Sequence, residues 1–381
     1  MIQLGLVTTI QRNIGDDFIR EGILRCIREL VPGEQLEAIL VDKHDPQKIY
    51  PRWHPLRVFD KQTFKPRWLS KPIRLVAGRW LPPLGGTVFE DCALLIQCGT
   101  PVLWPNCRGS EWAGPLWRDV LARLAQTGKP VLNLGAGSCY PLEHLPETLL
   151  HHPDEAFVRL MLNSARLTTA RDKLARQLFD SVGGKVDQLC CPALLAAQAF
   201  CTPANPTRKV LINFMAGGGH SSWGQAIDSN RWEQIMRVTV RHLEQLGWQP
   251  FLLAHNQQEL ALATALWPDV PRACPAALPE YFALARDAAF GIFNRLHACV
   301  ALAGLGIPSV AVGTDSRNFM VEQVGLPALY VKAATPERLI AALNHLQSNR
   351  EAESRRLLAL QAACWQEHLD RLRPFFPRLD L

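Results

Sequence analysis

Short apolar runs alternate with amphipathic stretches of helical length along the whole chain. The runs fall at 2–7, 36–41, 92–96, 131–134, 210–214, 251–254, 288–293 and 309–312. Strands buried on both faces read as continuous apolar sequence, so this alternation predicts parallel sheets covered on both sides by helices. The clearest helix follows Gly15 and Asp16, where Ile19, Ile23, Cys26, Ile27 and Leu30 recur on one face. Arg20, Glu21, Arg25, Arg28 and Glu29 fall mainly on the other side. The segment 200–209, rich in Pro, Thr and Asn, interrupts the pattern before a new strand begins. It divides the chain into an α/β domain at 1–200 and a second at 209–348. The remaining 349–381 opens as one long amphipathic helix, stopped by Pro374 and Pro377, that would brace the first domain.

At 381 residues and roughly 100 to 200 residues per domain, the length agrees with two domains, and a cleft between them is the expected site. With 48% hydrophobic and 20% charged residues the chain can bury a full core, which excludes a disordered protein. The uncharged stretch 298–314 is broken by Gly304, Gly306 and Pro308, too short on either side to span a bilayer. The chain opens on a strand pattern rather than a basic leader, so a cytoplasmic protein is expected. Eleven cysteines without a Cys-x-x-Cys pair suggest buried, reduced thiols, with neither a disulfide framework nor a zinc site.

Charge changes the picture at one place. Residues 41–80 hold ten Lys and Arg against three Asp, a net +7, while the chain as a whole carries +6. Tyr50, Trp53, Phe59, Phe64, Trp68 and Trp80 interleave with those cations. Such a surface suits phosphate together with a sugar or apolar face, and it also reads as a solvated loop. No nucleic-acid-binding motif accompanies it, so nucleic acid is not an expected partner.

Ligands of open α/β sheets bind beyond the carboxyl ends of the strands, and glycine-rich turns stand at three such ends. Asn13, Gly15, Asp16 and Asp17 open the first helix, where backbone N–H groups can meet an anion or Asp16 can act as a cap. Gly135 and Gly137 follow one buried strand, and Gly217, Gly218, Gly219 and His220 follow another. A sharper group is Phe293-Asn294-Arg295-Leu296-His297, between the strand at 288–293 and a helix expected at 298–305. A guanidinium and an imidazole two residues apart at a helix start suit a phosphate and its proton traffic. A core histidine beside a structural ion pair is the plain alternative. Nucleophile elbows, Walker loops and His-Glu-x-x-His sites are absent, which leaves serine hydrolase, P-loop and zincin chemistry without support.

In order along the chain these elements resemble the polysaccharide pyruvyl transferases. The resemblance runs through Asn13-Ile14-Gly15-Asp16-Asp17, Gly135-Ala136-Gly137, Thr169-Ala170-Arg171-Asp172-Lys173, Cys191-Pro192-Ala193-Leu194, Arg295-Leu296-His297 and Gly306-Ile307-Pro308, and covers residues 2 to 330. Two departures stand out: Gln97-Cys98-Gly99-Thr100-Pro101 keeps one glycine where members often carry three, and Arg317 stands where members often have Lys.

The resemblance implies two doubly wound Rossmann-like domains facing a cleft, as in GT-B enzymes, with the acceptor on the first and the donor on the second. It implies transfer of a pyruvyl group from phosphoenolpyruvate to two hydroxyls of a sugar in a surface polysaccharide or its polyprenyl-diphosphate-linked precursor, forming a ketal. No cofactor or metal is called for. Arg171 and Arg295 would clamp the donor's anionic groups, and His297 would act as acid or base, with His220 as second choice. Asp16 or Asp17 would hold or deprotonate the acceptor hydroxyls, while Asn13, Gly15, Gly135, Gly137, Gly218, Gly219 and Arg317 would line the substrate site. The +7 segment would dock the enzyme on the acceptor's diphosphate or on the anionic inner face of the membrane. A nucleotide-sugar glycosyltransferase and a non-catalytic glycan-binding protein are the two rival readings.

Overall fold

The computed structural model describes residues 1–10, 14–33, 35–59, 86–99, 101–110, 112–219 and 223–376. The first sheet is built from β1 (Ile2–Thr8), β2 (Leu36–Asp42), β3 (Leu94–Cys98), β4 (Pro101–Leu103), β5 (Val131–Ser138), β6 (Leu167–Ala170) and β7 (Asp187–Gln188). The second contains β8 (Lys209–Asn213), β9 (Gln249–Leu253), β10 (Arg272–Ala273), β11 (Phe290–Phe293), β12 (Ser309–Gly313) and β13 (Ala328–Tyr330). Every pairing between these strands is parallel. The orders are β2-β1-β3-β5-β6-β7, with β4 beside β5, and β10-β9-β8-β11-β12-β13. Both orders reverse direction next to their first strand, the point at which doubly wound sheets open a crevice.

Five strands escape the apolar-run pattern. β6 carries Thr168 and Thr169 in its four residues, β7 and β10 are two residues long, and β4 and β13 are three. Strands that short give periodicity too few positions to register. The run at 92–96 is displaced: Cys92 packs in the core ahead of a strand that starts at Leu94.

Six helices bound the cleft or join the domains: α1 (Ile14–Leu30), α2 (Lys173–Ser181), α3 (Gln257–Leu266), α4 (Leu278–Ala285), α5 (Leu296–Ala303) and α6 (Arg350–Leu372). α5 starts two residues earlier than the sequence pattern places it, so Arg295 takes the cap position and His297 lies inside the first turn. Asp16 likewise sits within the first turn of α1 rather than capping it. A carboxylate there is favoured by the positive end of the helix dipole.

The two domains share a core. One apolar cluster includes the β1, β3 and β5 residues facing α1, almost all of α5 and the buried face of α6. Phe18 of α1 reaches into the second domain, its ring 5.0 Å from Tyr281 and 5.4 Å from Phe282. The turn at Pro192–Leu195 wedges between the helices of the two domains, because a Cβ on Gly22 would lie 1.9 Å from the Pro192 carbonyl oxygen and one on Gly304 would lie 2.2 Å from that of Leu194. Overpacking of this kind typically costs 1–3 kcal/mol, so both glycines are set by close approach. Cys191-Pro192-Ala193-Leu194 therefore joins the domains. α6 closes the arrangement on the first domain, with Arg25 over the Trp365 ring, His368 Nε2 donating to the Cys190 carbonyl and Arg371 paired with Asp187.

Candidate active site

Strand ends of both sheets converge on a narrow polar pocket lined by Gly15, His255, Asn294, Arg295, Leu296, His297 and Arg317. On the first-domain side the frame is glycine and one guanidinium. Gly135 adopts a left-handed φ of 64° and donates its N–H to Thr169 Oγ1 at 2.8 Å. A Cβ on Gly137 would lie 2.3 Å from Arg171 Nε, so the missing side chain is what admits the arginine. Arg171 follows β6 directly, its backbone N–H bonded to the Ala136 carbonyl. Its side chain is fully buried, donates from Nη1 to the Gly99 carbonyl at 3.2 Å, and leaves Nε and Nη2 without partners among the described residues. Gly99, the glycine kept in the shortened loop, cannot carry a Cβ because the Gly135 carbonyl oxygen would be 2.6 Å away.

Asp172, beside it, caps α2 and is fully engaged. Its carboxylate accepts from Ala175 N at 2.7 Å and from Ser138 N and Oγ at 2.8 Å each. Ser138 Oγ lies 2.7 Å from Ser316 Oγ of the second domain, which accepts from Tyr140 N. Asp172 thus positions a hydrogen-bonded link across the domains. Burial pushes its carboxyl up, against the pull of these bonds.

The second-domain side is built from paired charges. Arg295 donates to Glu259 through Nε at 2.8 Å and through Nη2. Glu259 Oε2 accepts from Asn213 Nδ2 and from His255 N, and Asn213 Oδ1 accepts from Arg295 N, so the pair is stitched to β8. Burial opposes ionisation of Glu259, yet Arg295 and the hydrogen bond from the His255 backbone N–H hold its carboxyl below the ordinary range. Arg317 grips Asp315 through Nε at 2.8 Å and Nη2 at 2.6 Å. Asn294 ties the glycine loop to the sheet, accepting from Met215 N and donating to the carbonyls of Gly218 and Val312.

His297 lies between these two faces. It is buried, and its Nε2 has no hydrogen-bond partner among the described residues. Burial first, then the positive charges of Arg171, Arg317 and Arg295, hold the imidazole well below its usual pKa. His297 is therefore neutral at physiological pH, and an anion reaching the guanidinium cluster would raise its basicity. No group of three or more metal-ligating side chains occurs among the described residues.

This arrangement, a guanidinium with two of its nitrogens unpartnered among the described residues, beside a neutral imidazole over two Rossmann-like sheets, lies within a region that matches a known family. The model for polysaccharide pyruvyl transferases matches residues 13–316. The chain belongs to the polysaccharide pyruvyl transferase family. No curated protein matches it.

Solved structures with the same fold are far in sequence from the transferase. A UDP-N-acetylglucosamine 2-epimerase of Listeria monocytogenes, described as putative in its own title, aligns at TM-score 0.55 and 12% identity over 100% of this chain and 98% of its own. The UDP-GlcNAc 2-epimerase of Neisseria meningitidis, solved with UDP-GlcNAc, aligns at 0.51 and 13%, covering 97% and 100%. A trehalose 6-phosphate synthase of Burkholderia multivorans aligns at 0.50 and 12%, covering 98% and 96%. These likenesses establish the GT-B-type fold of the transferase.

The structure brings Gly15, Arg295, His297 and Arg317 to one cavity, and Arg171 and Arg317 lie within electrostatic reach of His297. Asp16 is buried and within electrostatic reach of Arg317. Asp17 is turned to Arg20 instead, 2.6 Å away, and burial raises its carboxyl. Gly218 and Gly219 are packing glycines, since a Cβ would meet Val331 at 2.4 Å and Thr314 at 2.5 Å. Asn13, His220 and residues 60–80 of the basic segment lie outside the described residues.

Sequence reasoning missed Glu259, Asp315, His255 and Lys43. Asn256-x-x-Glu259 carries a cap signature, and Asn256 does accept from Glu259 N. Nothing local announces that the same carboxylate crosses to Arg295.

Proposed function

We propose that the transferase moves the pyruvyl group of phosphoenolpyruvate onto two hydroxyls of a glycan sugar, forming a ketal. The observation that carries this reading is Arg171, buried, with no carboxylate partner and two guanidinium nitrogens unpartnered among the described residues, beside neutral His297. A buried cation left so is costly unless an anion completes it, and a planar guanidinium can meet either a carboxylate or a phosphate in bidentate fashion. Phosphoenolpyruvate offers both.

Protonation of the donor's methylene carbon creates an oxocarbenium-like centre, which one sugar hydroxyl attacks. His297, held neutral, accepts that hydroxyl's proton and passes it to the departing phosphate. The second hydroxyl then closes the ketal. Arg295 and Arg317, each already paired with a carboxylate, contribute fixed, oriented donors to the site. In this reading the acceptor approaches from the α1 side, where buried Asp16 holds its hydroxyls. Trp53, 65% exposed within the cationic segment, gives that segment an apolar anchor for an anionic membrane surface or a lipid-linked diphosphate.

Donor binding tests the reading. Losing a desolvated guanidinium–anion contact typically costs about 2–5 kcal/mol, which is roughly 30-fold to several thousand-fold in affinity. Phosphoenolpyruvate should raise the melting temperature, Arg171→Met should abolish that rise, and uridine diphosphate should give little. Micromolar binding of uridine diphosphate with no response to millimolar phosphoenolpyruvate would return the chain to nucleotide-sugar chemistry.

A further inference from the structure

The mechanism above needs an acid for the donor's methylene carbon, and neutral His297 has no proton to spare for it. Lys43 has one. It stands immediately beyond β2, at the carboxyl edge of the first sheet, with its backbone N–H bonded to the Thr8 carbonyl at the end of β1. Its side chain is buried, where lysine is seldom found, and the groups within its electrostatic reach include Asp16, Arg171, Asp42 and the Cys139 thiol. One of these is the anion-seeking guanidinium of the donor site and another the carboxylate at the start of α1. Asp42, by contrast, is engaged locally, its Oδ1 accepting from His44 N.

We propose that Lys43 is the catalytic acid that protonates the methylene carbon of the bound donor. The inference rests on phosphoenolpyruvate being that donor. The Lys43 N–H bond breaks as the new C–H bond forms, the vinyl π electrons supply that bond, and the adjacent carbon becomes the oxocarbenium-like centre. The first sugar hydroxyl adds there and its proton goes to His297. Phosphate leaves with the C–O bonding pair and takes that proton. The second hydroxyl adds and gives its proton to the neutral Lys43 amine, restoring the ammonium. Two hydroxyl protons therefore account for one methyl C–H bond and one phosphate O–H bond, and no other reactant is needed.

Burial drives the Lys43 ammonium below its ordinary pKa, while the Asp16 carboxylate resists that shift. A proton held this way is easier to release than that of a solvated lysine. Lys43 was counted in the +7 segment, where lysines read as solvated surface. Its burial sets it apart.

The test uses the full chain labelled with [ε-13C]lysine, in which Lys43→Arg identifies the Lys43 resonance by its loss. Phosphoenolpyruvate should displace that resonance in the parent. Lys43→Arg should bind phosphoenolpyruvate within about threefold of the parent, because the charge remains, yet release phosphate in the presence of p-nitrophenyl hexosides at least about 10²-fold more slowly. Methylammonium should restore part of the rate of Lys43→Ala, which a purely structural lysine does not allow. A Lys43 resonance unmoved by phosphoenolpyruvate that does raise the melting temperature, or a parental rate in Lys43→Arg, overturns the assignment. A parent whose melting temperature ignores phosphoenolpyruvate fails the donor reading instead, so the two failures are distinct.

Discussion

The two faces of the cleft handle positive charge in opposite ways. On the second domain Arg295 and Arg317 are matched to Glu259 and Asp315, and the surrounding amides and backbone groups complete the network. On the first domain Arg171 is more deeply buried but is met, among the described residues, by one carbonyl and a distant thiol, with glycine on either side. A matched pair needs nothing from a ligand, whereas an unmatched cation in low dielectric stays costly until an anion arrives. The second domain thus presents a pre-oriented wall, and in the proposed reading the first presents a charge for the donor to complete. Motif similarity alone treats the arginines as equivalent.

Breaking one charge on each face should separate these roles, and the largest effect is expected at Glu259. Removing one member of a buried ion pair typically costs about 3–5 kcal/mol because the other charge is left uncompensated. Glu259→Ala should lower stability by that order in urea denaturation. Arg171→Met is expected to abolish the donor response, yet it strands no buried carboxylate and gives up little more than the Gly99 hydrogen bond. Its stability should stay within about 1.5 kcal/mol of the parent. Equal losses in the two variants would remove the distinction drawn here.

The same contrast explains what was legible in the sequence. β1, α1, β8 and α6 follow from periodicity because each is long enough to repeat its pattern. The Arg-Asp and Arg-Leu-His elements follow from order along the chain. Glu259, Asp315 and Lys43 did not, because the meaning of a lone charge depends on which strand ends the topology brings together. Arg295 is the instructive case: its position at a helix start was readable, but its commitment to Glu259, 36 residues away, was not. Gly99 shows the converse. Counted by motif, the loop had lost glycines, while in the structure the one it keeps supplies the carbonyl that holds Arg171.

A smaller perturbation sharpens the first-domain side. A Cβ at Gly137 cannot coexist with Arg171 Nε at 2.3 Å, and the arginine can give way only by leaving its buried frame. Gly137→Ala should cost about 1–3 kcal/mol of stability and also weaken the melting-temperature response to phosphoenolpyruvate. Gly33→Ala serves as a control: nothing lies within 4 Å of its Cβ position, but its left-handed φ of 83° carries the backbone strain that any alanine would meet there. A strained control that keeps the full donor response while Gly137→Ala loses it would place the effect at the arginine frame. A full response in Gly137→Ala would show that Arg171 is not positioned by that glycine.

A further effect, spread over pH, concerns the histidines, and it again divides the site from its supports. Burial holds His255 near a pKa of about 3, His368 near about 4 and His297 well below its usual value, so all three are neutral in the folded protein at mildly acid pH. In the unfolded chain each titrates at about 6.5, and the unfolded state then binds more protons than the folded one. Their contribution to stability is therefore present above pH 6.5 and is lost as the pH falls below it, by about 1.4 kcal/mol per pH unit for each histidine, until its folded-state pKa is reached. The raised carboxyls of Asp17 and Asp172 act in the opposite direction. Urea midpoints should fall between pH 6.5 and 5, and His368→Phe should remove one histidine's share of that slope whether or not donor is present. His297 should differ from His368 once phosphoenolpyruvate is bound, because the added negative charge restores the basicity that the three arginines suppress. Saturating donor should therefore flatten the parent's slope and leave that of His297→Asn unchanged. An identical change in both proteins would mean that the donor's charge does not reach His297.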